Sequence, residues 1–458
     1  MATSAAATSS RLQELAQRHL WLHFSRMGAY GEQHDIPVIV KGDGCYVWDD
    51  QGKRYLDGLS ALFCVNIGHG RQDVAQAGAD QAGELGFYTN WSYAHPPAIE
   101  LAAKIAELAP GDLNRVFFTS GGSEAVEAAL KMARQFHKLR GNMNKTKVIA
   151  REIAYHGCTL GALSATGITS MRTPFEPFTP GGCHVPNTNL YRMPHGMGAE
   201  MLAESVRERI EFEGPETVGA VIMEPVQNAG GCFTPPDGYF QRIREICDEY
   251  DVLMISDEVI CSWGRLGEFF GAQRYDYQPD IITTAKGITS AYAPMGAAIV
   301  SDKVFEPFAQ GTSTFLHGVT FGGHPIASAV ALANIAVFEE EGILDNVREH
   351  EATFRGMLES LRDLPIVGDV RGAGYFHAIE LVRDRDTKQT FTHEESETLL
   401  RGYLSTELFD RGLICRADDR GDPVIQLSPP LIAGPEQFEE IESVLRPVLE
   451  EACNRMHL

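Results

Sequence analysis

The chain has 458 residues, which at ~150 residues per unit allows about three structural units. Hydrophobic residues make up 44% and charged residues 22%, an ordinary globular balance with enough apolar material for a sizeable core. A formal net charge of −23, with no Lys/Arg run, argues against a nucleic-acid partner or an anionic membrane surface.

The first residues, MATSAAATSSRLQ, are small and polar. They lack the charged stretch and apolar run of a secretory leader, so they read as a frayed end. Nine cysteines are scattered singly from Cys45 to Cys453, with no C-x-x-C pair. An odd, dispersed set argues against a disulfide framework, and reduced thiols in a cytoplasmic protein are expected. Residues 9–24 read as a short helix with a serine cap. His19 and His23 lie four apart on it, but without the glutamate of H-E-x-x-H no metal site is expected.

From Ile36 to Gly58 polar and apolar residues alternate around Asp43-Gly44 and Gln51-Gly52, which predicts a small β-meander. From about residue 98 helices and strands alternate. A helix at 97–109, a strand at 115–120 and a helix at 123–140 come first. Apolar runs follow at 147–152, 218–225, 252–259, 280–286 and 296–301, with a helix at 237–250 between two of them. Runs without alternation suit strands of a parallel sheet covered on both faces. The stretch Pro325 to Phe338 is apolar and helix-like, but it is too short to span a bilayer and reads as a core helix. Beyond residue 340 strands at 366–371, 374–382, 413–417 and 424–428 mix with helices at 393–411 and 435–455.

The predicted fold class is therefore α/β: a large domain with a mostly parallel sheet flanked by helices, plus a smaller α+β domain. The expected boundaries are 66–324 for the large domain and 325–458 for the small one. Residues 1–65 are expected to join the small domain.

Open α/β sheets bind ligands at the carboxyl ends of their strands. Three features fall there. TSGGSEAVEAALK, from Thr119 to Lys131, leads two glycines and a serine into a helix, and its amides suit a phosphate. It is neither G-x-G-x-x-G nor a Walker A pattern, so a nucleotide is not favoured. The strand VLMIS ends in Asp257-Glu258, where a carboxylate can meet a cationic ligand group. The third feature is IITTAKGITSAYAPMGAAIVS, residues 281–301, whose one charged residue is Lys286. Burial favours the uncharged form of a lysine, and a neutral amine is a nucleophile. Each feature also has a bland explanation: a capped turn, a solvated strand end, a snorkelling lysine. Together they supply a phosphate cradle, a carboxylate for a pyridinium nitrogen and an amine for a Schiff base. Those are the needs of pyridoxal phosphate.

The sequence resembles the class III aminotransferases, pyridoxal-phosphate enzymes of fold type I, and within them the omega-amino acid and amine:pyruvate branch. The resemblance spans about residues 15–455. It is carried by LDGLSALFCVNIGHG (56–70), FFTSGGSEAVEAALK (117–131), AYHG (154–157), MEPVQNAGG (223–231), ISDEVICSWGRLG (255–267), TTAKGITSAYAPMGA (283–297), HGVTFGGHP (317–325) and RADD (416–419).

The resemblance implies a role for each matching residue. Lys286 matches the catalytic lysine that holds pyridoxal 5'-phosphate covalently and then moves the proton. Asp257 matches the partner of the ring nitrogen. Gly122 and Ser123 match the phosphate turn. Tyr155 stacks on the ring, Val259 lies on its other face, and Glu224 supports the pocket. Thr320 matches a phosphate ligand given by a neighbouring subunit, which implies a homodimer, with a tetramer left open. Arg416 matches the clamp for a substrate carboxylate. Phe63 and Trp91, with Tyr155, are expected to wall the substrate pocket, although Trp91 also reads as a core aromatic.

The chain departs from the family pattern at the Ser-Gly-Gly-Ser turn, at Asn228, where glycine is common, and at Phe63, where several amine:pyruvate relatives have tryptophan. The implied reaction moves an amino group from an amine or omega-amino acid to a keto acid, with pyruvate favoured. A 4-aminobutyrate, ornithine or diaminopelargonate type of aminotransferase, or an aminomutase, is the alternative of the same fold. An inactive cofactor-binding scaffold is a remote one.

Overall fold

The computed structural model describes residues 2–30, 35–179, 181–193 and 198–458, with residues 2–8 as backbone alone. At its centre is a seven-stranded sheet. Its strands are β4 (Leu113–Thr119), β5 (Lys147–Arg151), β6 (Gly182–Val185), β7 (Val218–Met223), β8 (Leu253–Asp257), β9 (Ile281–Thr284) and β10 (Gly296–Ser301), ordered β4-β10-β9-β8-β7-β5-β6. Every residue of β7, β8, β9 and β10 is buried, because helices cover both faces; hence their apolar, non-alternating composition.

Two details differ from expectation. β10 runs antiparallel to both β9 and β4, while β6, β5, β7, β8 and β9 are mutually parallel. The sequence reading also misses β6, a four-residue edge strand, GCHV, too short and too polar to stand out as an apolar run.

A second sheet contains the meander β1 (Ile39–Asp43), β2 (Tyr46–Asp49) and β3 (Arg54–Asp57), with Gly44 in the left-handed region at the first turn. Its fourth strand is β13 (Leu413–Ile414), which pairs parallel to β3 through Leu413 opposite Leu56. An antiparallel sheet of order β11-β12-β15-β14 is built from β11 (Val367–Ala373), β12 (Phe376–Leu381), β14 (Arg416–Asp418) and β15 (Val424–Leu427). The predicted strand at 413–417 is thus split between two sheets. The predicted helix at 393–411 contains a π-helical turn at Leu400–Leu404. The first helix runs Ala2–His19, so the segment read as frayed is helical, and the helix ends before the expected residue 24.

All nine cysteines are free thiols. The Pro325–Glu340 helix lies largely in the core, and among the described residues no helix is long and apolar enough to cross a membrane. The parallel register aligns the carboxyl ends of the strands. Asp257 at the end of β8 faces Thr283 of β9, and Met223 of β7 faces Ser256. The residues that follow β4, β5, β7, β8 and β9 therefore meet along one edge.

Candidate active site

Asp257 ends β8 and is buried at that edge. Its Oδ2 lies 2.7 Å from Nδ1 of His156, on the loop after β5. Its Oδ1 accepts from the amide of Val259 and from the hydroxyl of Thr283, both at 3.2 Å. Three donors hold one carboxylate in one orientation. The Nε2 of His156 is buried without a partner among the described residues. Glu224, just past β7, is equally buried; its Oε2 accepts from the amide of Asn228 at 3.0 Å, and its Oε1 has no partner among the described residues. Burial raises the Glu224 carboxyl above its usual value, and the Asp257 charge adds to that. Asn228 is fixed in turn by Gln426, whose side-chain amide donates to its backbone carbonyl at 2.6 Å and to its side-chain Oδ1 at 3.2 Å. A side-chain departure from the family pattern has thus become a tie to the small sheet.

Lys286 follows β9 at φ 48°, a conformation unusual for a non-glycine residue. Its amine makes no hydrogen bond among the described residues and lies 5.7 Å from the centre of the Phe63 ring. Burial lowers its pKa. Cys64, Asp257 and Glu224 oppose that shift, while Arg416 reinforces it. An unpaired amine in a partly desolvated site, with carboxylates nearby, can act as a nucleophile and as a base.

Beside it, the Gly122–Leu139 helix begins without a side-chain cap. The amides of Gly121, Gly122 and Ser123 have no acceptor among the described residues, and a Cβ at Gly121 would meet nothing within 4 Å. Free amides at a long helix's positive end, facing open space, fit a phosphate. At Gly122, by contrast, a Cβ would come within 2.8 Å of a Val259 methyl. Glycine there lets Val259 close over the turn. Ser123 Oγ accepts from the amide of Cys158 at 3.1 Å, so its hydroxyl is already oriented.

The pocket wall comes from three places. Phe63 is buried, edge-on to Phe376 with ring centres 5.6 Å apart. It sits in a strained segment, since Ser60, Ala61 and Phe63 all have positive φ. Asp57 holds that segment by accepting from the amides of Leu59 and Ala61 at 3.2 and 2.7 Å. Arg265 ties it further by donating to Ser60 Oγ and Asn66 Oδ1. Tyr155 is half-buried, and burial raises its hydroxyl, which feels the charges of Arg420, Asp257 and Arg416. Arg416 lies on β14, lowered to about 10 by burial and by the neighbouring Arg420.

Lys286, Asp257, Glu224, Tyr155 and Arg416 thus form one electrostatic neighbourhood, with the Phe63 ring near the lysine amine and Val259 linking Asp257 to the Gly122-Ser123 turn. Trp91 and Thr320 lie apart from it. Trp91 is 60% exposed rather than core, and its indole lies against Gly318. Thr320 is exposed on the same stretch, which runs beside β4. The sequence reading gave no role to His156, although AYHG contains it, nor to Cys64 and Arg420. For His156 the signal was its place directly after Tyr155. For Cys64 and Arg420 the sequence carried none.

Comparison with known proteins places the chain in one family. The class-III aminotransferase family model matches residues 27–449. The chain is 57% identical over 455 residues to a probable aminotransferase of Mycobacterium tuberculosis, covering 98% of this chain and 97% of that protein. It is 41% identical over 426 residues to the putrescine–pyruvate aminotransferase of Pseudomonas aeruginosa, covering 91% of each. Among solved structures, an omega transaminase from Pseudomonas jessenii in complex with PMP superposes with a TM-score of 0.92 at 35% identity, covering 97% of this chain and 99% of that one.

Proposed function

The chain belongs to the class-III aminotransferases, and from that premise we propose that it moves an amino group from an amine or omega-amino acid to a keto acid, with pyruvate as acceptor. The observation that carries this is the convergence of an unpaired lysine amine, a fixed carboxylate and a row of free amides on one sheet edge. The similarity to an enzyme named for putrescine and pyruvate supports the choice of donor and acceptor.

The residues present fit pyridoxal phosphate. The amides of Gly121 to Ser123 and the Ser123 hydroxyl would bind its phosphate, and Asp257 would bind its ring nitrogen. Tyr155 and Val259 would flank the ring, and Lys286 would attach it covalently. When bound, the cofactor supplies an electron-accepting ring that stabilises charge at the substrate carbon. Lys286 Nζ takes the proton from that carbon and returns it on the far side of the reaction. Asp257 would present its carboxylate to the ring nitrogen in one fixed orientation, since His156, Thr283 and the Val259 amide hold its two oxygens. Arg416 binds the acceptor carboxylate, and Phe63 gives the apolar wall against which an amine without a carboxylate rests.

Thr320 and the exposed aromatic group Phe87, Tyr88, Trp91, Tyr93 and Phe321 belong, in this reading, to a homodimer interface. There Thr320 reaches the partner's phosphate turn and Trp91 its pocket. The test is Lys286→Ala. Turnover and the visible absorbance of lysine-bound cofactor should both vanish; transamination near the wild-type rate would sink the assignment. A panel of amines against pyruvate and 2-oxoglutarate checks the substrate reading.

A further inference from the structure

Arg416 is a half-buried guanidinium that makes no hydrogen bond among the described residues. Among the described residues its one nearby carboxylate is Asp418, with Nε to Oδ2 at 3.7 Å, outside hydrogen-bond range. Asp418 is itself buried, and a buried carboxylate seeks a partner. Two residues further on, Arg420 supplies it. The Nε of Arg420 lies 3.0 and 2.8 Å from the two oxygens of Asp418, and Nη2 lies 2.7 Å from Oδ2. The other acidic groups of this turn are engaged elsewhere: Asp419 faces Arg401 at 3.5 Å, and Asp422 faces Arg192 at 3.0 Å. Both guanidiniums act on the Tyr155 hydroxyl, so the group borders the pocket rather than the outer surface.

Two arginines and one buried aspartate leave one positive charge over. Without Arg420, Asp418 would have Arg416 as its nearest cation, a short rotation away. It would then occupy the site that a substrate carboxylate needs. We propose that Arg420 is a specificity-determining positioning residue: by clamping Asp418 it keeps Arg416 free for the carboxylate of a keto acid. The proposal rests on the reading of Arg416 as the carboxylate clamp. It gives the site a class preference, for substrates with one carboxylate over neutral carbonyl compounds of the same size.

Steady-state kinetics of the holoenzyme in the amination direction test it, with pyruvate and propanal as acceptors for one common donor. Arg420→Met should raise the KM of pyruvate relative to that of propanal about tenfold. Adding Asp418→Asn to that variant should bring the ratio back to within about twofold of wild type, because the competing charge is gone. Arg420→Lys, a milder change that holds Asp418 by a single ammonium, should raise the ratio by less. An unchanged ratio in both single variants overturns the proposal, and so does a raised ratio that Asp418→Asn fails to rescue. Arg416→Met separates the two readings. If it leaves the ratio unchanged, the carboxylate clamp itself is wrong; if it raises the ratio while Arg420→Met does not, only the role of Arg420 falls.

Discussion

Nδ1 of His156 and Oδ2 of Asp257 stand 2.7 Å apart in a region where both residues are buried. The histidine comes from the loop after β5 and the aspartate from the end of β8, two strands away across the sheet. Both side chains are buried, and the contact fixes each against the other. The unpaired Nε2 of His156 and Oε1 of Glu224 lie in the same buried region.

The pair gives a direct prediction. His156→Phe keeps the aromatic volume and removes the donor. Asp257 retains Thr283 and the Val259 amide, so cofactor still binds. Its carboxylate loses one of three anchors, and turnover should fall roughly tenfold to a hundredfold, about 1.4 to 3 kcal/mol in barrier. Single-turnover absorbance changes with an amine donor measure this. A variant with wild-type rates would remove His156 from the machinery.

Much of the site was readable because strand ends in a parallel sheet are marked by composition. Leu253–Asp257 and Ile281–Thr284 are apolar runs that stop at a charged residue, so Asp257 and Lys286 stand out at their ends, whereas Glu224 entered only through the family resemblance. The direction of β10 was not readable. Gly296–Ser301 is covered on both faces like its neighbours, and burial alone sets that composition, whichever way the strand runs. Phe63 owes its position to backbone strain between Ser60 and Phe63, held by Asp57 close by in sequence and by Arg265 from a distant part of the chain; no local pattern encodes the distant tie. Asp418 falls within RADD without a role of its own, and Arg420 just outside it. Only the fold of β14 against β15 buries Asp418 and half-buries Arg420 beside Arg416.

The close approach of Val259 to Gly122 supports a second prediction. Gly122→Ala would place a Cβ 2.8 Å from Cγ1 and 2.9 Å from Cγ2 of Val259. The backbone there is helical, so the only penalty is the contact. Val259 would be pushed toward the ring side of the pocket, and cofactor affinity should drop about tenfold. Val259→Ala in the same chain should restore most of that loss by making room. Titration of the apo-protein with pyridoxal phosphate, followed by absorbance, reads both. Equal affinity in Gly122→Ala and wild type would mean that Val259 yields without disturbing the site.

His377 lets stability be predicted against pH. It is fully buried on β12, stacked on Phe354 with ring centres 5.3 Å apart, and neither ring nitrogen has a partner among the described residues. Burial lowers its pKa to about 3, with the Arg355 charge adding to the effect. In the unfolded chain the ring titrates near 6.5. The unfolded state therefore binds the proton first, and the folded state refuses it until about pH 3. The stability contributed by this residue is complete above pH ~6.5 and is lost as pH falls from there, by about 1.4 kcal/mol per pH unit. His377→Phe fills the same space against Phe354 and has nothing to protonate. Between pH 8 and pH 5 the wild type should lose about 2 kcal/mol more than the variant. Urea unfolding at the two pH values measures the difference. Parallel acid destabilisation in both proteins would show that the imidazole is not excluded from protonation, and the acid-sensitive group would then have to be sought among the buried carboxylate pairs.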